Sequence, residues 1–345
     1  MSKIRIGIIC PSEIAFRRFL PALKQSDNFE YIGVAVATEI EWFGNESNPV
    51  DENRVALLEN ENHKAQTFVD EYGGKIISGY ERLIKSEEVD AIYIPLPPAL
   101  HFRWAKLALE SGKHVFVEKP STTSLADTTE LVNLAERNKL AIHENYMFNF
   151  HNQLDEIEQI IRSGQIGDVR MFRIDFGFPR RAQNDFRYNK ALGGGSLIDA
   201  GGYTMKLATR LLGATAKIDC AKLNYINEFE VDVCGSATMS NDNGLVAQLG
   251  FGMDNAYKCT LEVWGSTGRL VTERVLTAPA GFVPKYMIIN NDGKNEYDFT
   301  PDDTFYKSIQ FFAECVNNID IRKKSQDAMI KQAALVDDFK KQAGE

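Results

Sequence analysis

The fold is decided near the start of the chain, where residues 4–24 read IRIGIICPSEIAFRRFLPALK. Residues 4–9 are mostly apolar and predict a buried strand. From residue 13 onward, apolar side chains recur at the spacing of one helix face, namely Phe16, Phe19, Leu20 and Leu23. A strand that passes through a short turn into a helix is the first step of a βαβ unit.

The residues that follow repeat this alternation. Strands are predicted at residues 31–37, 91–94, 114–117 and 140–143, and helices at residues 63–72, 81–86, 100–111 and 125–139. A polar stretch over residues 38–62, which contains Gly44 and Pro49, predicts a long loop. Strands separated by helices of this length indicate a mostly parallel, doubly wound sheet.

The pattern changes after residue 168. Four or five strands with two-residue alternation are predicted up to residue 264, with a hairpin signal, SNDNG, over residues 240–244. Such alternation indicates an antiparallel sheet with one solvent-exposed face. Helices are predicted over residues 304–317 and 326–341. A chain of 345 residues suits two domains. We therefore predict an α/β fold: a doubly wound parallel sheet in residues 1–122, then an α+β domain with an open-faced antiparallel sheet in residues 123–345.

Composition excludes several classes of protein. The formal net charge is −9, which argues against nucleic acid or an anionic membrane as the main partner, because both require a basic surface. The five cysteines show no CxxC spacing, so we predict no metal site and a reducing compartment. The sequence starts without a signal-peptide pattern and has no apolar run of about 18 residues, so we expect a cytoplasmic protein.

The turn after the first strand is where a dinucleotide-binding fingerprint would lie, because backbone N–H groups at a helix N-terminus bind a pyrophosphate. If Ala15 takes the place of the third glycine, the first two glycines are replaced by Cys10 and Ser12. The alternative is a simple turn in which Ser12 caps the helix and Glu13 complements its dipole. The candidate cofactor residues here are Gly7, Cys10, Ser12, Glu13 and Ile14.

Thr38 follows the second strand, at the position where an aspartate would select the unphosphorylated cofactor. A hydroxyl there tolerates a 2′-phosphate, whereas the neighbouring Glu39 would hold two ribose hydroxyls. NADP and NAD both remain open from these residues, with NADP favoured.

Glu118-Lys119-Pro120 ends a predicted parallel strand, at the sheet edge where such folds bind ligands. Pro120 fixes the direction of the chain and therefore aims the side chain before it. The alternative is that Lys119 is a surface charge. His101, in the first turn of the preceding helix, is either a neighbour of the nicotinamide or a helix residue without such a role.

Gly193-Gly194-Gly195 introduces a helical pattern that contains Asp199, Gly201-Gly202 and Tyr203. Two glycines within a helix cost about 1 kcal/mol each relative to alanine, so we expect another group to pack closely against the backbone there. Asp199 and Tyr203 are four residues apart and project from one face, where a carboxylate can orient a phenol for proton transfer. The alternative is a capping aspartate and a packing tyrosine.

Two further segments are candidates for substrate contacts. Arg180, Arg181 and Arg187 lie within eight residues of an acidic chain, and at least one would contact a phosphate if they are more than surface charge. The stretch ENYMFNFH over residues 144–151, which contains Tyr146, would line a pocket or pack beneath the sheet.

Taken together, these motifs resemble the glucose–fructose oxidoreductase / inositol dehydrogenase / MocA (Gfo/Idh/MocA) family over essentially the whole chain. The resemblance rests on the N-terminal βα unit, PPALH at residues 97–101, Glu118-Lys119-Pro120, and the glycine turn with Asp199 and Tyr203. It implies a Rossmann domain followed by an open-faced α+β domain, and hydride transfer between a nicotinamide and a sugar or cyclitol carbon. It further implies that Lys119 acts at the reacting oxygen and that Asp199 and Tyr203 line the catalytic site.

The tyrosine at residue 203, together with EVWGSTGRL at residues 262–270 and PDDTF at residues 301–305, resembles the nucleotide-sugar 3-ketoreductase branch. Free-sugar and dihydrodiol dehydrogenases share much of this pattern and are the alternative. A scaffold protein that has lost its cofactor is the alternative of another class, because the glycine turn is altered. The resemblance implies cofactor contacts at Pro95, Leu96, Pro97, His101, Glu118 and Lys119, and substrate contacts at Tyr146, Arg180, Arg187 and Asp199. We also expect a homodimer or homotetramer built through the antiparallel sheet.

Overall fold

The computed structural model describes residues 2–44 and 52–345. Strands and helices alternate through the N-terminal part. In chain order they are β1 (Ile4–Ile9), a π-helical turn (Ala15–Phe19) that continues as α1 (Leu20–Lys24), β2 (Phe29–Val36), α2 (Glu39–Phe43), α3 (Glu52–Tyr72), β3 (Lys75–Ser78), α4 (Tyr80–Ile84), β4 (Ala91–Ile94), α5 (Pro98–Glu110), β5 (His114–Glu118), α6 (Leu125–Arg137) and β6 (Ile142–Asn145).

Strands dominate the rest of the chain. The elements are α7 (Asn152–Arg162), β7 (Val169–Gly177), a π-helical turn (Leu197–Gly201) that continues as α8 (Gly202–Leu212), β8 (Lys217–Tyr225), β9 (Asp232–Ser240), β10 (Val246–Gly252), β11 (Lys258–Gly265), β12 (Gly268–Glu273), β13 (Lys285–Asn290), β14 (Gly293–Asp298), α9 (Thr304–Asn317) and α10 (Ile319–Ala343). Within the described ranges, no helix is both long enough and apolar enough to cross a membrane.

The chain forms two compact units. Unit 1 contains Met1–Thr122, Ala126–Asn145 and Ser308–Met329, and unit 2 contains Thr123–Leu125, Tyr146–Lys307 and Ile330–Glu345. The first segment of unit 1 ends where the sequence predicts the domain boundary, and two later segments also belong to unit 1. The contiguous division into residues 1–122 and 123–345 stays a prediction.

Unit 1 is built on a parallel sheet of six strands in the order β3-β2-β1-β4-β5-β6. Every neighbouring pair is parallel, which confirms the doubly wound sheet expected from the alternation of elements. Strands β4 and β6 are buried along their whole length, because helices cover both faces of such a sheet. The strand order reverses at β1, between β2 and β4, and ligands bind such sheets at this type of position.

Unit 2 is built on an eight-stranded sheet in the order β14-β13-β12-β11-β7-β10-β9-β8. All pairs are antiparallel except β7 with β10, so the expected antiparallel sheet is confirmed with one parallel pair. The predicted hairpin joins β9 to β10, where Ser240 pairs with Val246. Along β7, the buried Phe172 and Ile174 alternate with the exposed Arg173, which leaves one face of the sheet open.

The predicted loop over residues 38–62 is wrong for most of its described part. Thr38 begins α2 through a capping box with Glu41, and residues 52–62 belong to α3. The predicted helix over residues 63–72 is the second half of α3; its first half was missed because apolar side chains form only a weak stripe along this polar helix. Residues 45–51, which also fall in the predicted loop, lie outside the described residues.

The two glycines at the start of α8 are closely packed, as their position in a helix predicts. A Cβ atom added at Gly202 would collide with the hydroxyl of Tyr146, and one added at Gly201 would lie 3.0 Å from the ring of Phe251. Tyr146 is only 1% exposed and therefore has little room to move. The glycines thus let the sheet and an aromatic ring approach the helix backbone.

We expect Gly202→Ala to lower the free energy of unfolding by about 1–2 kcal/mol, because overpacking outweighs the better helix propensity of alanine. Tyr146→Phe removes the colliding oxygen. The double variant should therefore be more stable than the sum of the two single changes predicts. Denaturant unfolding of all four proteins measures this coupling. Strict additivity of the two changes would contradict the proposed collision.

Candidate active site

Lys119 follows β5 directly and stands between two anchored residues. The carboxyl group of the half-buried Glu118 accepts hydrogen bonds from the Tyr93 hydroxyl at 2.7 Å and from Asn145 Nδ2 at 2.8 Å. Burial raises the pKa of Glu118, while these two hydrogen bonds act in the opposite direction. Tyr93 and Asn145 come from β4 and β6, so the strands on both sides of β5 hold the residue before Lys119.

Pro120, the residue after Lys119, is fixed by a side chain from α5. The Lys119–Pro120 peptide bond is cis, and the Pro120 carbonyl lies 2.7 Å from His101 Nδ1. His101 Nε2 lies 2.7 Å from the Leu96 carbonyl. Burial lowers the pKa of His101 to about 4, so the ring is neutral at neutral pH and donates to one carbonyl at a time. His101 therefore links the turn after β4 to the turn after β5.

His101 is completely buried, so its ring contacts these two turns from the protein interior. Its predicted contact with a cofactor stays a prediction. The other predicted cofactor residues of this edge, at positions 95–97, 118 and 119, lie in or beside the two turns that His101 links. The next residue along, Ser121, donates its N–H to Glu144 Oε1 at 2.8 Å, which extends the anchored segment.

The turn after β1 is compact. Cys10 has a φ of 71°, a conformation that glycine adopts without strain and that other residues adopt rarely. Its N–H donates to the Ala35 carbonyl at 3.0 Å, and the Ser12 N–H donates to the Cys10 carbonyl at 2.9 Å. Ser12 Oγ accepts from the Ala15 N–H at 3.2 Å, so Ser12 caps the helix. Burial, followed by the charge of Glu61, raises the pKa of the Cys10 thiol to about 12.

The remaining predicted residues of this turn differ in their surroundings. Gly7 lies in β1, where an added Cβ would come within 2.9 Å of the Leu83 side chain. Glu13 is exposed and pairs with Arg17 at 2.5 Å, and Ile14 is half-buried. Gly7 is thus explained by packing, whereas residues 13 and 14 begin the helix that follows the turn.

Glu41 fixes the segment after β2. Its carboxylate accepts the N–H groups of Thr38 at 2.8 Å, Tyr80 at 3.0 Å and Glu81 at 2.9 Å. Thr38 Oγ1 accepts the Glu41 N–H in return, at 3.3 Å. One carboxylate therefore ties the turn that carries Thr38 to the first residues of α4.

Tyr203 lies in unit 2 inside a cage of aromatic rings. The centroids of Tyr146, Phe148 and Phe176 are 5.3, 5.6 and 5.3 Å from that of Tyr203. The phenol is 8% exposed, and its hydroxyl lies 3.8 Å from Met147 Sδ. The cage fixes the orientation of the ring, and Tyr146 contributes to it from a buried position.

Asp199 lies in the π-helical turn that precedes α8. Its Oδ2 accepts a hydrogen bond from Arg187 Nε at 2.7 Å, and Arg187 Nη1 also contacts both oxygens of Asp185 at 3.1 and 3.3 Å. The three side chains are 13–21% exposed. The structure therefore brings together Asp199 and Arg187, a contact that the sequence did not predict.

Asp232, at the start of β9, holds the turn that leads into Asp199. Its Oδ2 accepts from Ser196 Oγ at 2.6 Å and from the Leu197 N–H at 2.7 Å, and an added Cβ at Gly195 would collide with its Oδ1. Burial raises the pKa of Asp232, and these hydrogen bonds act against that rise. The glycine turn thus serves a close approach of a buried carboxylate.

Arg180 is engaged by acidic side chains, with Glu228 at 2.5 Å and Asp254 at 2.7 Å. The neighbouring Arg181 lies over the Phe178 ring, with its Cζ 5.3 Å from the centroid. Contact between any of these arginines and a substrate phosphate stays a prediction. Within residues 2–44 and 52–345, no group of three or more His, Cys, Asp or Glu is arranged to hold a metal ion.

Three anchoring carboxylates were missed by sequence reasoning: Glu41, Asp185 and Asp232. Glu41 had a local signal, because Thr38-x-x-Glu41 has the spacing of a capping box. Asp185 precedes Arg187 by only two residues, yet nothing in the sequence indicates that Asp185 and Asp199 share this arginine. Asp232 lies 36 residues from the serine that it binds, and no local pattern reveals such a pair.

Comparisons with known proteins agree along the whole chain. A family model described as an oxidoreductase family with an NAD-binding Rossmann fold matches residues 4–146, and the GFO/IDH/MocA C-terminal domain matches residues 154–271. A dTDP-3,4-didehydro-2,6-dideoxy-alpha-D-glucose 3-reductase from Saccharopolyspora spinosa is 34% identical over 340 residues, which cover 97% of this chain and 96% of that protein. Its counterpart from Actinomadura kijaniata is 35% identical over 334 residues, covering 97% and 94%.

A solved structure extends the similarity to three dimensions. The crystal structure of a 3-ketoreductase from Actinomadura kijaniata in complex with NADP and TDP-benzene superposes with a TM-score of 0.87 at 35% identity, covering 97% of this chain and 96% of that one. Sequence similarity and structural similarity to these 3-reductases therefore both extend over 97% of this chain. The chain belongs to the GFO/IDH/MocA oxidoreductase family.

Proposed function

We propose that this protein is an NADPH-dependent 3-ketoreductase that reduces the keto carbon of a nucleotide-linked deoxysugar. The observation that carries the proposal is the end-to-end similarity to 3-reductases of dTDP-linked dideoxysugars, at 34–35% identity over 97% of the chain. A related structure that contains NADP and TDP-benzene supports both the cofactor and the nucleotide-linked substrate. Free-sugar or dihydrodiol oxidation, and a scaffold role without cofactor, are the alternatives that the experiments below test.

Unit 1 fits a dinucleotide. Its strand order is that of dinucleotide-binding sheets, and the helix after β1 offers the N–H groups of Glu13 and Ile14 at its first positions, where a pyrophosphate is bound in this fold. Thr38 would face the adenosine ribose, and the turns at 95–97 and 118–119 would face the nicotinamide. When bound, the dinucleotide supplies the hydride.

Lys119 and Tyr203 are assigned by their chemistry. Reduction of a ketone adds a hydride to carbon and a proton to oxygen, and a phenol or an ammonium group can deliver that proton. Tyr203 is the proton donor in this proposal, because its ring is fixed by three aromatic neighbours. Lys119 polarises the carbonyl oxygen, and its backbone is fixed by Glu118 and Pro120.

Turnover tests the proposed function directly. We expect NADPH oxidation with a TDP-linked 3-keto deoxysugar, with NADH as the poorer donor. Equal turnover of the free sugar and its nucleotide-linked form would contradict the nucleotide-sugar assignment. If neither NADPH nor NADH binds up to about millimolar concentration in a fluorescence titration, that result supports the scaffold alternative instead.

Tyr203→Phe keeps the ring in its cage and removes only the hydroxyl. General acid catalysis is typically worth about 10²–10⁴-fold, so we expect kcat to fall by that order with nearly unchanged affinity for NADPH. Lys119→Met should be at least as damaging, because the oxygen loses its charged partner. Thermal unfolding of both variants is the control. A Phe variant within about threefold of wild type would show that Tyr203 is a packing residue, and Lys119 or a water would then supply the proton.

Cys10→Gly should leave the affinity for NADPH equal or better, because glycine adopts the observed φ without strain. Its free energy of unfolding should be unchanged or higher by up to about 1 kcal/mol. Ser12→Gly should likewise retain binding, with a loss of only a few tenths of a kcal/mol from the cap, as an order of magnitude. Cys10→Ala is the matched control, since it removes the thiol and keeps the strained backbone. Weaker binding in Cys10→Gly would show that the thiol contributes to the cofactor site.

The open face of the unit 2 sheet is proposed as the interface of a homodimer or homotetramer. It carries Trp264, which is 47% exposed with Arg173 over its ring, and charges of both signs, including the Lys258–Asp175 pair at 2.6 Å. Mixed charges of this kind are self-complementary across a two-fold axis, which favours a second copy of the chain as the partner. We therefore expect the interface to contain charged side chains as well as apolar ones.

Light scattering at micromolar concentration should show a particle of at least twice the chain mass of 38.8 kDa. Trp264→Asp should shift the particle toward the monomer, because it removes the large exposed ring and adds a charge to the face. Lys324→Asp, at an exposed residue of α10 outside this sheet, is the control for added negative charge. A wild-type protein that scatters only as a monomer would remove the oligomer from the proposal.

A further inference from the structure

Arg187 is part of a nearly buried cluster of three charges. Its side chain is 21% exposed, and those of Asp185 and Asp199 are 19% and 13% exposed. The cluster lies at the entrance to the helix that carries Tyr203, because Asp199 belongs to the π-helical turn before α8. An arginine so placed has little solvent around it and depends on its two carboxylate partners.

The guanidinium group divides its donors between the two acids. Nε donates to Asp199 Oδ2 at 2.7 Å, and Nη1 donates to Asp185 at 3.1 Å, while the group also lies over the Phe186 ring with Cζ 4.6 Å from the centroid. Burial lowers the pKa of Arg187, but Asp199 and then Asp185 outweigh burial, so the pKa is raised. The cation is thus already neutralised by two anions, and a phosphate brought to it would be repelled by both.

The backbone of this segment is fixed independently of the guanidinium. The Arg187 carbonyl accepts the Gly195 N–H at 2.9 Å, and the Arg187 N–H donates to Asp185 Oδ1 at 3.0 Å. Asp232 holds the following turn through Ser196 and Leu197. Replacement of the Arg187 side chain therefore leaves the loop and the helix start in place, and its effect is confined to the carboxylates.

We infer that Arg187 is a positioning residue that orients the Asp199 carboxylate at the start of the helix that carries Tyr203, and that it is not a ligand of the substrate's phosphate. The inference rests on the proposed function. In a variant without the guanidinium, Asp199 loses the donor that holds its Oδ2 at 2.7 Å, and the orientation of this nearly buried carboxylate is less constrained. The orientation that Asp199 gives to the reacting groups is then lost.

Four proteins test this inference: wild type, Arg187→Met, Arg187→Lys and Lys190→Met. Lys190 is an exposed cation in the same loop and serves as the control for lost charge. We expect Arg187→Met to lower kcat by about 10- to 100-fold, because misplacement of a catalytic group costs rate at this scale. KM for the nucleotide-linked ketone and the affinity for NADPH should stay within about threefold of wild type.

Arg187→Lys separates positioning from a simple requirement for charge. A lysine keeps the cation but cannot hold both carboxylates with a planar fork, so we expect partial recovery, with kcat about 3- to 10-fold below wild type. Lys190→Met should retain wild-type kcat and KM. Because the lysine variant keeps the buried charge, it remains informative if Arg187→Met does not fold.

Binding of TDP provides a readout that needs no turnover. Calorimetric titration should give Arg187→Met the same TDP affinity as wild type, within about threefold, because no phosphate contact is lost. Weaker TDP binding, or a raised KM with unchanged kcat, would overturn the inference and assign Arg187 to the substrate phosphate. Wild-type kcat in both Arg187 variants would overturn it as well. Absence of turnover by wild type itself would count against the proposed function, and TDP binding would still decide the role of Arg187.

Discussion

The backbone at the carboxyl end of β5 depends on the hydrogen bonds on either side of Lys119. A lysine side chain is long and flexible, so its direction is controlled chiefly through its backbone. Here Glu118 is fixed by groups on both neighbouring strands, and the Pro120 carbonyl meets a fully buried histidine. Buried polar groups must find partners, and once all are paired they define a single arrangement. The backbone that carries Lys119 is therefore fixed at the edge of the sheet.

In unit 2, a carboxylate fixes the backbone next to a predicted site residue. Asp232 accepts two hydrogen bonds from the turn that precedes Asp199, and Gly195 leaves the space that this carboxylate occupies. The aromatic cage then fixes Tyr203 four residues after Asp199. Each unit thus has an acid that anchors the segment beside a predicted site residue: Glu118 lies next to Lys119, and Asp232 holds the turn before Asp199.

Sequence patterns predicted the features that depend on residues close together in the chain. The parallel sheet follows from the alternation of strands and helices. The glycines at residues 201 and 202 predicted a close approach to the helix backbone, and the structure shows that Tyr146 and Phe251 make it. Strand β14 was missed because all of its side chains are exposed, which leaves no alternation to detect. Lys119, Asp199 and Tyr203 could be selected from motifs, whereas Asp232 could not, because its partners become neighbours only after the chain has folded.

Arg180, Arg181 and Arg187 show why a count of charges in the sequence does not give the net charge around a side chain in the structure. Three cations within eight residues suggest an anion site, but Arg180 faces Glu228 and Asp254, and Arg187 faces Asp185 and Asp199. Each of these two arginines thus has two acidic partners, and each group of three carries a net charge of −1. Two of those partners, Glu228 and Asp254, are 48 and 74 residues from Arg180 in the sequence. Attraction for a phosphate depends on the field left after such pairing, so a count of local cations overstates it. Arg187, which lies between Asp185 and Asp199, is better placed to stabilise a carboxylate of the protein than to bind the phosphate of a ligand.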